Sequence, residues 1–179
     1  MPKNPRSYEK TRHIALSGLL FALAMALSFI EGSLVIPGLL PGMKLGLANI
    51  VVMYALFFMG VKQALVLDVL KALFVFLVSG FTAGVLSLCG GLLSLLVMAV
   101  LYYVVPVRPT WFILSVCGAL AHNVGQLLAA RVVMGTAAVF GYLPFLLLGS
   151  VLTGLATGAA FLAMRKAISL RRWRVRNQK

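Results

Sequence analysis

The chain has 179 residues, of which 62% are hydrophobic and 11% are charged, and its mean hydropathy is +1.06. Because soluble domains carry about 25% charged residues, this composition excludes a soluble globular protein and indicates an integral membrane protein. The formal net charge of +13 would suggest a nucleic-acid partner in a soluble protein, but most of the basic residues lie at the two ends of the chain.

These terminal basic residues predict the orientation in the membrane. They precede the first apolar run at Lys3, Arg6, Lys10 and Arg12, and they follow the last run at Arg165, Lys166, Arg171, Arg172, Arg174, Arg176 and Lys179. Since Lys and Arg are enriched in cytoplasmic segments, both termini are expected in the cytoplasm and the number of spans is expected to be even. The predicted organisation is a basic N-terminus over residues 1–13, a transmembrane domain over residues 14–164 and a basic tail over residues 165–179.

Three spans are predicted in the first half of the chain. The first covers about residues 14–30, and because no small-residue cleavage site follows it, we expect it to remain as a helix rather than to act as a signal peptide. An external loop over residues 31–44 leads to a short second span over about residues 45–59. A third span begins after a tight turn at Lys62 and ends near residue 79.

Three further spans are predicted over about residues 85–105, 111–134 and 143–164. Pro106 and Pro109 separate the first two of these, because proline ends helices. The turns after the third and fifth spans contain no charge, as expected for external turns. The fold class is therefore predicted to be an all-α integral membrane protein, a compact bundle of six transmembrane helices.

Two ionisable residues interrupt the third span. Asp68 and Lys71 are three residues apart, so they lie on one face of a helix. Ionisable groups inside spans cost about 2.5–3.5 kcal/mol each on insertion scales, so they normally face a bundle interior. The pair is either a structural ion pair or an arrangement in which Asp68 orients Lys71 toward a substrate.

The fifth span carries several polar residues in the segment AHNVGQLLAAR. His122 and Gln126 share a helical face, Asn123 adjoins them, and Arg131 lies further outward. Such side chains join membrane helices through hydrogen bonds, or they form a binding surface. Arg131 could instead extend its side chain to the external headgroups.

The charges predicted on the external side favour a particular class of ligand. The cations there are Lys44, Lys71 and Arg131, which only Glu31 and Asp68 offset. We therefore expect a net positive cavity that takes an anionic or strongly hydrogen-bonding ligand. The candidate substrate-binding residues are Glu31, Lys44, Asn49, Asp68, Lys71, His122, Asn123, Gln126 and Arg131.

The segment PGLLPGMKLGLAN, over residues 37–49, contains the breaks between the first two spans. Irregular backbone at membrane depth is tolerated where protein buries it or where it lines a cavity. We therefore expect Lys44 to begin the second helix facing the cavity, with Asn49 about a turn and a half further on. The predicted lid over this cavity is formed by Pro37, Gly38, Pro41 and Gly42.

Small residues recur every four positions in the first span, at Gly18, Ala22 and Ala26. This spacing lets another helix approach closely, either within the same bundle or from another membrane subunit. Elsewhere the sequence has no phosphate-binding glycine loop, no metal-ligand spacing and no recognisable nucleophile set. We therefore expect no catalysis, no metal site and no disulfide between Cys89 and Cys117.

The segments PGLLPGMKLGLANIVVMYALFFMG, KQALVLDVLKALF, SGFTAGVLSLCGGLLS and GALAHNVGQLLAARVVMG resemble the bacterial Gx transporter family, also labelled heptaprenyl diphosphate synthase component I. The resemblance extends over about residues 11–165. That family is similar to the substrate-binding S components of energy-coupling factor (ECF) transporters, six-helix proteins of the bacterial cell membrane that capture a vitamin or related micronutrient.

The resemblance implies a function and a set of partners. The loop after the first helix would close over an external site, and Gly18, Ala22 and Ala26 would contact the transmembrane coupling subunit. Two cytoplasmic ATPases would use ATP, and this chain would carry no cofactor. The implied function is capture of a small, anionic or polar micronutrient or precursor from outside.

The synthase label implies a different chemistry. Prenyl diphosphate synthases hold Mg²⁺ with paired Asp-rich motifs, and Mg²⁺ prefers carboxylate oxygens. This chain has a single aspartate, so we expect that it is not a catalytic subunit. The alternatives that remain are a non-catalytic accessory subunit of heptaprenyl diphosphate or quinone biosynthesis, and a permease that works alone.

Overall fold

The computed structural model describes residues 5–33, 44, 46–106 and 109–176. Within these ranges the chain is helical and contains no strand, which confirms the all-α prediction for this part. A short 3₁₀ helix covers Ala137–Tyr142. The six α-helices are α1 (Pro5–Ser33), α2 (Asn49–Phe58), α3 (Val61–Ser79), α4 (Phe81–Tyr103), α5 (Trp111–Met134) and α6 (Leu143–Arg176).

Four stretches of the described chain are long and apolar enough to cross a membrane. They are Ile14–Ser33, Phe81–Tyr103, Trp111–Met134 and Ala137–Ala163. The other two helices do not meet that description. With ten residues, α2 is about 15 Å long, half of the hydrocarbon thickness. With 19 residues, α3 is long enough but carries charged side chains. The prediction of six spans is therefore confirmed in part, as six helices with four candidate spans.

Several helix boundaries differ from the predicted ones. The second helix begins at Asn49 rather than near residue 45, because the preceding segment is not helical and is held by side chains of α1 and α5. The fourth begins at Phe81, directly after Gly80, whose φ of 87° suits glycine and lets one residue link α3 to α4. The fifth helix coincides with its predicted span, starting after the N-cap Thr110.

The helices pack mainly with their neighbours along the chain. The described contacts join α3 to α4, α4 to α5 and α5 to α6, while α1 packs on α2 and α3. Glycines allow close approach between helices: a Cβ at Gly125 of α5 would lie 2.7 Å from the carbonyl oxygen of Cys89 in α4. The outward surface is apolar, as expected for lipid contact, with Leu77 and Val132 more than 70% exposed.

Two apolar clusters enclose a polar region of the interior. One contains Leu95 of α4, Leu114 of α5 and Phe161 of α6. The other contains Leu86, Leu127 and Leu146 of the same three helices. Between these positions, each of the three helices turns polar side chains inward. We call the buried polar residues the polar layer: Ser28, Glu31, Lys44, Asn49, Asp68, Lys71, Ser87, Ser94, Ser115, His122, Asn123, Gln126, Ser150, Thr153 and Thr157.

Candidate functional site

The polar layer contains eight of the nine predicted substrate-binding residues. All eight are at most 8% exposed, although they come from α1, the segment before α2, and helices α2, α3 and α5. Because isolated polar groups are costly inside an apolar bundle, their convergence marks this layer as the candidate functional site. The eight are Glu31, Lys44, Asn49, Asp68, Lys71, His122, Asn123 and Gln126.

Asp68 and Lys71 form a buried ion pair on one face of α3. Lys71 Nζ lies 2.7 Å from Asp68 Oδ1, and the two side chains are 2% and 0% exposed. Lys71 Nζ also donates a hydrogen bond of 3.1 Å to Asn49 Oδ1. An ammonium group has three donors, so these two contacts leave one N–H of Lys71 for a further partner.

The carboxylate of Asp68 packs against α4 at Gly91. A Cβ at position 91 would overlap both carboxylate oxygens, so only glycine leaves room for them. Asp68 Oδ2 is buried and has no hydrogen-bond partner among the described residues. The pair is therefore held by packing and charge, with one carboxylate oxygen still able to accept a hydrogen bond.

Gln126 fixes the backbone of Lys44. The backbone N–H of Lys44 donates to Gln126 Oε1 at 3.0 Å, and Gln126 Nε2 donates to the carbonyl oxygen of Lys44 at 2.7 Å. The oxygen and the nitrogen of the Gln126 side-chain amide thus both bond to the backbone of Lys44, as a neighbouring strand would. Gln126 acts as a positioning residue that holds the segment before α2 on α5.

Glu31 fixes the same segment from the other side. Its carboxylate accepts a hydrogen bond from the backbone N–H of Gly46. Gly46 has a φ of 92°, and a Cβ there would lie 2.9 Å from Asn49 Nδ2, so glycine is required on both counts. Lys44 therefore lies in a non-helical segment clamped between α1 and α5, and it does not begin the second helix as predicted.

The ammonium group of Lys44 adjoins a cavity. Lys44 Nζ donates to the carbonyl oxygen of Ser28 at 2.9 Å. A cavity of about 170 Å³ lies beside it between α1 and α3, lined by Ser28, Phe29, Gly32, Ser33, Lys44, Phe74, Val75, Val78 and Ser79. This wall combines a cation and hydroxyl groups with apolar side chains, which suits an anionic or hydrogen-bond-accepting group.

His122 and Asn123 face different neighbours. Asn123 Nδ2 donates to Ser150 Oγ at 2.7 Å and to the carbonyl oxygen of Leu146 at 3.3 Å, so Asn123 joins α5 to α6. His122 packs against Gly46: a Cβ added to Gly46 would lie 3.0 Å from His122 Cδ2. Its Nδ1 is buried with no hydrogen-bond partner among the described residues.

Arg131 is the one predicted substrate-binding residue that lies outside the polar layer. It is exposed in the last turn of α5, where a cation is favoured by the helix dipole. Without it, the polar layer contains two lysines and two carboxylates, so the described layer does not carry the excess of positive charge expected from the sequence.

The structure describes the small residues of α1 but not the predicted lid. Pro37, Gly38, Pro41 and Gly42 lie outside the described residues, so the lid stays a prediction. Gly18, Ala22 and Ala26 are exposed along α1, and a Cβ at Gly18 would meet no atom within 4 Å. The stripe therefore does not pack inside the described bundle and is free to contact another molecule.

The hydroxyl groups of the layer do not stand out in the sequence. Single serines and threonines are common in apolar helices because they bond to their own helix, as Thr157 does to the carbonyl oxygen of Thr153. The available signal was their spacing, which puts Ser150, Thr153 and Thr157 on one face of α6. Ser94 and Ser115 have no such bond within the described chain.

The layer offers hydrogen bonds and charge rather than metal ligation. In the part of the chain that the structure describes, no group of three His, Cys, Asp or Glu side chains could hold a metal ion. Cys89 and Cys117 are both free thiols, and neither belongs to the layer. The donors, acceptors and charges of the layer suit hydrogen bonding to a polar molecule.

Comparison with known proteins assigns the chain to a family. The family model for heptaprenyl diphosphate synthase component I matches residues 20–164, which include α2 to α5 in full, parts of α1 and α6, and every residue of the polar layer. Searches of curated proteins and of solved structures found no match. By the extent of the family match, the chain belongs to the heptaprenyl diphosphate synthase component I family.

Proposed function

We propose that this protein is the substrate-binding membrane subunit of an ECF-type ABC importer, similar to an S component. It captures a small anionic or polar micronutrient or precursor from outside the bacterial cell. Both termini face the cytoplasm. The observation that carries the proposal is the enclosed polar layer, in which buried polar atoms of several helices have no partner among the described residues.

Unpartnered atoms favour binding over a purely structural network. Native proteins leave few buried polar groups without a hydrogen bond, and a structural network is stable when every member is satisfied. Here Asn49 Nδ2, Asp68 Oδ2, Ser94 Oγ, Ser115 Oγ and His122 Nδ1 are buried and unpartnered in the described chain. A polar solute would supply the missing partners, and the free energy gained would become binding free energy.

The distribution of charges supports an anionic or hydrogen-bond-accepting end on the solute. The two carboxylates are already engaged by protein groups: Glu31 by the backbone N–H of Gly46 and Asp68 by Lys71. The ammonium of Lys44 has a neutral carbonyl as its bonded partner and lies beside a cavity of about 170 Å³. A carboxylate or phosphate placed there would form a charge-assisted hydrogen bond with Lys44.

The exposed stripe of α1 supports a partner subunit. Gly18, Ala22 and Ala26 present small side chains on an outward face, which suits the close approach of another transmembrane helix. In this proposal that helix belongs to the coupling subunit, and two cytoplasmic ATPases use ATP to drive the motion. The chain itself carries out no covalent chemistry and holds no cofactor.

Copurification from gently solubilised membranes tests the choice of partner. We expect the tagged chain to capture a transmembrane coupling subunit together with two ATPases, and Gly18→Leu to reduce that capture by obstructing the stripe. The matched control is Leu19→Ala, a change at a neighbouring exposed residue. Capture of a soluble prenyl diphosphate synthase instead would contradict the proposal.

The family name favours a second candidate function. A non-catalytic accessory subunit of heptaprenyl diphosphate or quinone biosynthesis fits the name of the matching family. The chain contains one aspartate, which argues against a catalytic Mg²⁺-diphosphate site of its own. A third candidate, a permease that works alone, would be supported by solute uptake in a host that lacks every coupling module.

A further inference from the structure

Three neutral polar side chains meet on the inner side of the polar layer. Asn49 begins α2, Ser94 lies in α4 and Ser115 lies in α5, and they are 7%, 1% and 3% exposed. All three line one internal space of about 10 Å³, which Thr157 of α6 also borders. Asn49 Nδ2, Ser94 Oγ and Ser115 Oγ have no hydrogen-bond partner within the described residues.

The hydroxyl groups that α6 contributes to the layer are satisfied. Ser150 Oγ accepts from Asn123 and donates to the carbonyl oxygen of Leu146, and Thr157 Oγ1 donates to the carbonyl oxygen of Thr153. Ser94 and Ser115 could bond to their own helices in the same way, but they do not. Their free hydroxyl groups, together with the free amide N–H₂ of Asn49, distinguish this space from the hydroxyl groups of α6.

We propose that Asn49, Ser94 and Ser115 form an uncharged hydrogen-bonding subsite that receives a hydroxyl, carbonyl or amide group of the bound solute. This proposal deepens the proposed function and rests on it. Asn49 Nδ2 donates to the solute oxygen, and the two serine hydroxyl groups donate or accept as the group requires. Among the described residues no charged side chain lines the space, so the group it receives is neutral.

Asn49 connects this subsite to the charged part of the layer. Its Oδ1 accepts the hydrogen bond from Lys71 Nζ, while its Nδ2 remains available on the other side of the same amide. A solute whose anionic group contacts Lys71 would therefore reach the subsite with a neutral oxygen at its other end. The substrate class is a small carboxylate or phosphate that also bears a hydroxyl, carbonyl or amide group.

The space can adapt to such a group. A volume of about 10 Å³ holds roughly one water-sized group. Two of its walls are Met53 and Met98, whose unbranched side chains repack easily. Gly118 keeps the space open, because a Cβ there would lie 3.4 Å from Ser94 Oγ and 2.8 Å from Met98 Sδ.

Stability of the purified protein separates binding from structural roles. In Ser94→Ala and Ser115→Ala we expect a thermal midpoint equal to or above that of the wild type, because each change removes an unpaired buried hydroxyl. Ser150→Ala is the matched control and is expected to lower the midpoint, because that hydroxyl is bonded twice. If Ser94→Ala and Ser115→Ala lower the midpoint as much as Ser150→Ala does, the serines are structural and the proposal is overturned.

Reaction with methyl methanethiosulfonate, a small neutral thiol reagent, tests access to the subsite without any solute. In a Cys89→Ala/Cys117→Ala background, Ser94→Cys and Ser115→Cys are expected to react faster than Ala64→Cys, a control in the apolar core at 0% exposure. Intact-mass measurement follows the modification. Reaction no faster than that of Ala64→Cys would overturn the proposal, because a solute could not reach the space either.

Retention of the co-purifying molecule completes the test. Native mass spectrometry follows the mass that the wild type retains, and we expect Ser94→Ala and Ser115→Ala each to lose about tenfold in affinity for it. Gly118→Ala is expected to reduce retention by filling the space. Retention by the wild type and equal retention by all three variants would overturn the subsite alone. A wild type that retains nothing would instead overturn the proposed function, and the subsite with it.

Discussion

Replacing Lys71 by methionine isolates the contribution of the buried ion pair. Methionine keeps a long unbranched side chain but removes the ammonium group that lies 2.7 Å from Asp68 Oδ1. Asp68 is 0% exposed, and no other cation contacts it among the described residues. The change therefore leaves a carboxylate buried without a counter-charge.

The expected cost follows from this geometry. Removing one partner of a buried pair destabilises a protein by about 3–5 kcal/mol, because the remaining charge is uncompensated. Asn49 Oδ1 also loses the hydrogen bond that Lys71 donates, which adds about 1 kcal/mol. For a chain of this size about 1 kcal/mol corresponds to a shift of roughly 2–4 °C, so the thermal midpoint should fall by about 8–24 °C.

Thermal unfolding of the detergent-purified protein measures this effect, and a double-mutant cycle identifies its cause. Asp68→Asn/Lys71→Met removes both charges and should regain most of the lost stability, because replacing a buried pair by neutral groups is often close to neutral. A loss below about 1 kcal/mol for Lys71→Met would be typical of an exposed pair and would refute the reasoning. Additive effects of the two single changes would refute it as well.

Three further predictions concern other parts of the layer and its border. Gln126→Leu leaves the buried backbone N–H and carbonyl of Lys44 without partners, so we expect a loss of about 1–3 kcal/mol in stability. Hydrogen exchange at the Lys44 amide should accelerate, and unchanged exchange would contradict the positioning role of Gln126. Gly91→Ala places a methyl group against the carboxylate of Asp68 and should lower the thermal midpoint by the equivalent of about 1–3 kcal/mol or more. A midpoint equal to that of the wild type would argue against close packing of Asp68 on Gly91. Arg131→Gln should change stability by less than about 0.5 kcal/mol and leave retention of the co-purified molecule unchanged, because Arg131 is exposed outside the layer. Reduced retention would show that Arg131 contributes to binding.

The order of the helices could be predicted because apolar runs separated by turns are a strong local signal. The starts of α5 at Trp111 and of α6 at Leu143 coincide with their predicted positions. The length of α2 could not be predicted in the same way. Its start depends on Glu31 and Gln126 holding the preceding segment, and these contacts join residues 15 and 82 positions apart in the sequence.

The candidate site could be predicted to a large extent because ionisable and amide side chains are rare inside apolar spans. Asp68, Lys71 and His122 stand out for this reason, and all three are buried in the layer. Serines carry no such signal, since a hydroxyl group satisfies itself on its own helix. Arg131 could not be excluded, because side chains near the end of a helix turn inward or outward according to the neighbouring packing.

Native mass spectrometry of the gently purified protein tests the central claim, capture of a small polar solute, most directly. We expect the wild type to carry a non-covalently bound molecule that bears an anionic or hydrogen-bond-accepting group. Lys44→Met should lose most of it while keeping its helix content and membrane insertion, because the ammonium beside the cavity is removed and the backbone contacts with Gln126 remain. A wild type without any bound molecule, under conditions that preserve ligands in comparable membrane proteins, would contradict the account, and retention unchanged by Lys44→Met would remove Lys44 from the site.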